Sequence, residues 1–155
     1  AKDESVMINN FDAAHRLLNH GGKSLDERYP RFRDKLDLFF IDHEWVPLLI
    51  QDNYLNSIQD RNSLKDVEDM ANAADFISLG DSLNRQIRVN MDWSLLPNMG
   101  VCSSIAPALI LKGKSFYPRF PEWLGKNSSQ RKSMRQIREL KFAMGSSACC
   151  DKRAI

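Results

Sequence analysis

Apolar residues return at every third or fourth position along most of this chain, and no useful run alternates apolar with polar side chains. The first pattern lines one face of a helix, whereas a half-buried strand needs a period of two. The chain therefore reads as all-α, a bundle of about six to eight helices. Phe11, Ala14, Leu17 and Leu18 share a face, with Asn9 or Asn10 as N-cap and Gly21-Gly22 as the stop. Ser24 and Glu27 have capping-box spacing, cut short by Pro30. Phe32, Leu36, Phe39 and Phe40 form the next stripe, and Pro47 suits the first turn of a short helix bearing Leu48, Leu49 and Tyr54.

Residues 56–62 read as loop. Ser63 opens the longest helix, with Leu64, Val67, Ala71, Ala74 and Phe76 or Ile77 facing inward and Gly80 at its end. Asp81 caps another helix that turns Leu83, Ile87 and Met91 to the core, and Pro97 begins one interrupted near Pro107. Gly113, Pro118, Pro121 and Gly125 make 112–127 an irregular Pro/Gly-rich arm. A last helix runs from about Ser129 to Met144, carrying Met134, Ile137 and Leu140 or Lys141 and stopped by Gly145.

The length of 155 residues suits a single helical domain, 1–155, with a real core. A hydrophobic content of 43% excludes wholesale disorder. The longest apolar runs, around Val46–Ile50 and Ile105–Leu111, are short for a membrane span and each holds a proline, so no membrane partner is expected. No basic-then-apolar leader opens the chain, and a start at Ala1 points to a piece of something longer. Cys102, Cys149 and Cys150 show no C-x-x-C spacing, which favours a reducing interior. The net charge of +2 conceals an asymmetry: 11 basic and 17 acidic residues up to position 111, then 11 basic and 3 acidic. The last third is the part expected to meet an acidic partner.

Two Gly-Lys-Ser triplets, at 22–24 and 113–115, invite a phosphate-loop reading. A Walker loop needs a glycine five residues before the Gly-Lys pair, where this chain has Leu17 and Ala108, and no strand precedes either triplet. His15 and His20 miss the i, i+4 spacing that suits metal ligation on a helix. His43 and Glu44 would be the pair for a helical hydrolase, but no nucleophile–base pattern accompanies them. No catalytic residue, cofactor site or metal site is expected in this chain.

The segment around Lys126, Ser128, Ser129, Arg131, Lys132, Arg135 and Arg138 is different. It puts positive charge and hydroxyls at an expected helix start, where free N–H groups also favour phosphate. An acidic protein surface is an equally physical target. Among the aromatics, Phe39, Phe40 and Trp93 are expected in the core, although with Trp45, Phe120 and Trp123 they have the chemistry of a base-stacking platform. Phe120, Trp123 and Leu124 lie in a proline-bracketed element and are candidates for a subunit interface.

Several ordered blocks carry a resemblance. Leu36-Asp37-Leu38-Phe39-Phe40, Asp42, Pro47-Leu48 and Gln51-Asp52-Asn53-Tyr54 come first, then Ala73-Ala74-Asp75 and Gly80-Asp81. Gln86-Ile87-Arg88, Trp93-Ser94-Leu95-Leu96-Pro97, Phe120-Pro121, Trp123-Leu124-Gly125-Lys126 and Ser128-Ser129 follow. In this order they resemble the C-terminal collar domain in the large subunit of replication factor C, the eukaryotic clamp loader. Residues 26–33 are extra length against that pattern, and 99–113 are only loosely similar. The resemblance implies a nuclear, non-catalytic assembly domain that packs with four small clamp-loader subunits. The whole complex would place the sliding clamp on primer–template DNA in replication and repair, with ATP and Mg bound by an AAA+ module upstream of this chain. A stand-alone nucleic-acid-binding module using the basic 112–155 region is the alternative.

Overall fold

In the computed structural model, Asn9 caps the first helix, α1 (Asn10–Leu18), by accepting a 2.8 Å hydrogen bond from the Asp12 N–H. The structure describes residues 8–19, 25–58, 63–111 and 116–144, and every regular element among them is helical. Gly21-Gly22, Ser24, both Gly-Lys-Ser triplets, Gly145, His20, Cys149 and Cys150 lie outside the described residues. The expected inward face of α1 is present: Ala13, Ala14, Leu17 and Leu18 are buried, and Phe11 packs against their cluster.

A single turn, α2 (Leu25–Arg28), ends before Pro30 and is followed by α3 (Phe32–Phe40) and α4 (Trp45–Asn53), with Pro47 in the first turn of α4. In α3 the buried face is Lys35, Leu38 and Phe39. Phe32 and Phe40 are exposed, correcting the broader stripe read from the sequence. Neighbouring helical positions differ by about 100°, and with Lys35, Leu38 and Phe39 setting the buried face, Phe32 and Phe40 fall outside it. Leu25, Leu38, Val46, Leu49, Ile50 and, from a later helix, Ala108 join α1 in the main core. Lys35 is buried but carries its compensation, an ion pair at 2.5 Å to Asp26.

The longest element is α5 (Leu64–Asn90), an uninterrupted 27-residue helix. Neither a stop at Gly80 nor a new cap at Asp81 is present. Gly80 sits in mid-helix because a neighbour comes close: a Cβ there would lie 2.8 Å from the Ser103 Cβ. Glycine costs a helix interior about 1 kcal/mol relative to alanine, offset here by close helix packing. The buried face is Ala73, Ile77, Gly80 and Ile87. Leu64 and Val67 are exposed, and Met91 is an exposed left-handed cap at φ 56°, where an inward position was expected.

Residues 93–110 form one helical rod built from a 3₁₀ turn (Trp93–Leu95), α6 (Leu96–Gly100), a π turn (Val101–Ile105) and α7 (Ala106–Ile110). The expected break at Pro107 is replaced by that π turn. The Ala106 N–H reaches back five residues to the Val101 carbonyl, so the wider turn absorbs the register just before the proline. The rod is long and apolar enough by length and composition to span a membrane, unlike the short runs read from the sequence. One face of the rod is buried: Met99, Gly100, Ser103, Ser104, Ile105, Pro107 and Ala108 all face inward. It packs along α5, and a second core cluster of Phe39, Ile87 and Met99 forms between them and α3. Gly100 allows this, since a Cβ there would meet the Phe39 ring at 2.6 Å.

The described residues divide into two units, one ending at Phe120 and the other beginning at Pro121. The second unit consists of α8 (Glu122–Met144). It starts about two turns earlier than the sequence periodicity predicts, so only 116–121 of the described arm is irregular. Gly125 lies within α8 with nothing in the space a Cβ would fill, so an exposed helix tolerates it.

Candidate functional site

Burial separates the candidate residues into two outward surfaces. The first belongs to the body. Trp93, 50% exposed, and Phe40, 43% exposed, were both expected in the core, whereas Phe39 beside them is fully buried. The Trp93 ring meets His43 edge-on at 6.4 Å between centroids, and Phe40 meets Phe39 at 5.1 Å. Trp93 stands out because α5 ends in the left-handed Met91, after which Asp92 caps the next turn through its Oδ1 and the Ser94 N–H. Arg88 donates to Glu44 Oε1 at 2.9 Å and to Asn84 Oδ1 at 3.0 Å, framing this surface with charge.

His43 is engaged with an aromatic ring and Glu44 with a guanidinium. Among the described residues no three metal-ligating side chains cluster. Partial burial pushes the Cys102 thiol up from its usual range, which disfavours its thiolate.

Asn53 is a structural residue that no sequence pattern singles out beyond its place in the resemblance. It is fully buried, and its Nδ2 donates to the carbonyls of Leu49 and Arg119, each at 2.9 Å. The Arg119 N–H in turn donates to Asn53 Oδ1 at 2.8 Å. This two-way bond fastens the irregular segment before Phe120, whose exposed ring packs edge-on against Trp45 at 5.9 Å. No local pattern signals such a pair, because the partner is 66 residues away.

The second surface is α8. Lys126, Ser128, Ser129, Arg131, Lys132, Arg135 and Arg138 are all exposed on this one helix. Its start at Glu122 revises one expectation: the first-turn N–H groups belong to residues 122–125, with that of Leu124 donating to the Pro121 carbonyl at 3.2 Å, so Ser128 and Ser129 sit inside the helix and not at its N-terminus. Lys126 pairs with Glu122 at 3.3 Å and Arg135 with Glu139 at 3.6 Å; both are exposed i, i+4 pairs of small energetic weight. Trp123 is exposed and Leu124 half-buried, while Phe120 belongs to the other unit.

The fold and its surfaces define a helical domain whose outward features are aromatic side chains and arginines. Over residues 77–155 the chain matches the family described as Replication factor RFC1 C terminal domain, and it belongs to that family. It is 40% identical over 116 residues to Replication factor C subunit 1 of Drosophila melanogaster, a match covering 74% of this chain and 12% of the relative. It is 31% identical over 156 residues to the Homo sapiens protein of that name, covering 98% and 13%, and 35% identical over 147 residues to that of Saccharomyces cerevisiae, covering 92% and 17%. The chain thus spans well under a fifth of the length of these relatives.

Proposed function

We propose that this chain is the assembly segment of a clamp-loader large subunit, a non-catalytic helical domain that packs against four small subunits in the nucleus. In the parent complex, ATP and Mg act at AAA+ modules elsewhere, and the assembled machine places the sliding clamp on primer–template DNA for replication and repair. One observation carries the reading. The match to the Replication factor RFC1 C terminal domain begins in α5 and runs across the corner where Trp93 turns outward. An exposed tryptophan on a rigid corner suits a contact with another macromolecule, since aromatic anchors dominate interface energetics.

Phe120, Trp123 and Leu124 are the further candidate contacts to subunits, and the basic residues of α8 the candidate contact to an acidic surface or to DNA phosphate. The test is co-expression of the tagged chain, and separately of the full-length large subunit, with the four small subunits. The chain is expected to co-purify with them and to hydrolyse no ATP alone, and Trp93→Ala is expected to weaken recovery by about tenfold, as for a modest interface hot spot. Failure of the chain to associate where the full-length subunit assembles would overturn the reading. A stand-alone nucleic-acid-binding role for 112–155 is the second reading, supported by the arginines of α8, and predicts DNA binding without any subunit.

A further inference from the structure

The outward face of α8 has an order that net charge alone does not express. Arg131, Arg135 and Arg138 recur at steps of four and three, so they form one row down the helix. At 1.5 Å per residue the row covers about 10 Å of helix axis. Asn127, Gln130 and Met134 complete a shallow strip with the three arginines. Ser128 and Lys132 share a neighbouring strip with Arg131 and Arg135. Among the described residues Arg131, Lys132 and Arg138 make no ion pair, and Arg135 has only the long, exposed contact to Glu139.

We propose that this row binds the sugar–phosphate backbone of a nucleic-acid strand, an inference that deepens the reading of α8 given above. Length is the first reason. One strand of a duplex presents a phosphate every 3.4 Å of axis, so about 10 Å of arginines faces about three phosphates, whereas a single phosphate would engage only one turn. Chemistry is the second. Guanidinium forks grip phosphate oxygens in pairs, and the hydroxyl and amide groups of Ser128, Asn127 and Gln130 are those that also bond phosphate and sugar. Met134 is the one apolar residue lining the strips, and the exposed aromatics of the helix, Trp123 and Phe142, lie beyond their two ends, so the centre of the row is polar where a protein interface is most apolar. Recognition is of backbone charge and carries no base sequence.

The experiment measures anisotropy of a labelled primer–template duplex with the full chain from 50 to 200 mM salt. Three phosphate contacts predict a log–log slope of about −2.7, so affinity falls about fortyfold over that range. The triple variant R131Q/R135Q/R138Q is expected to lose most of that slope and more than tenfold in affinity at the lower salt, with helicity by circular dichroism unchanged. R131K/R135K/R138K is expected to keep most of the slope, because lysine retains the charge. Unaltered binding by the glutamine variant overturns the proposal. So does a variant that loses the small subunits while keeping DNA, which would assign the row to an acidic protein. If the parent chain binds DNA through the row but no small subunit, the assembly reading fails and this inference stands.

Discussion

In the body, Phe39, Leu17 and Ile50 are wholly buried, and even Asn53 has its amide nitrogen and oxygen bonded within the fold. In α8, Arg131, Arg135, Met134 and Leu140 all face out, and its side-chain contacts are mainly pairs one turn apart. The charges divide the same way, with an acidic excess up to position 111 and a basic excess beyond it. Burial of apolar surface at about 25 cal/mol per Å² stabilises the first region. The second depends on helix propensity and short-range pairs, each worth a few tenths of a kcal/mol. The buried side chains of the body are thus committed to holding the fold, while the exposed ones of α8, like Trp93 on the body's surface, contribute little to it. Substitutions should divide accordingly between stability and binding.

The sharpest way to break that division is Phe39→Ala. Phe39 fills the space between α3 and α6, and its loss should cost about 3–5 kcal/mol in chemical denaturation. A cost below about 1 kcal/mol would mean that this second core cluster does not hold the body together. Asn53→Ala should cost about 1–3 kcal/mol, since it leaves the Arg119 N–H and two carbonyls without their side-chain partner. Asn53→Asp should recover little, because a carboxylate would face the Leu49 and Arg119 carbonyls. The smallest effect is a gain. Gly125→Ala in α8 should stabilise that helix by up to about 1 kcal/mol, read from carbon chemical shifts over 122–144. Loss of helicity there would show that Gly125 holds a conformation alanine cannot adopt.

Local signals were readable where their cause was local. The Asn9 cap, the buried face of α1 and the place of Pro47 all follow from neighbours within one or two turns. Glycine misled twice for one reason: a stop, a close approach and a tolerated gap look alike in sequence. Gly80 is a close approach whose cause, Ser103, lies on another helix, and Gly125 is a tolerated gap on an exposed one. The basic residues of α8 were legible as a cluster. The row of Arg131, Arg135 and Arg138 falls within the helix that periodicity indicates, but the place of Lys126 and Ser128 on the same helix was not legible, because that helix begins at Glu122. Trp93 was read as core because a tryptophan is usually buried, yet its orientation is set by the left-handed residue at Met91 two positions earlier.

The bond between Asn53 and Arg119 also leads to an unusual solvent behaviour. Arg119 is exposed and belongs to no regular element, so its amide proton would ordinarily be traded for deuterium as fast as that of an unstructured peptide. The acceptor that shields it is a side chain anchored at the C-terminal end of α4. That proton can leave only when its bond to Asn53 opens, so its exchange rate is a clock for how often the segment lifts off the end of α4. A single amide resonance from an irregular segment would thus report how often its long-range tether to Asn53 is undone.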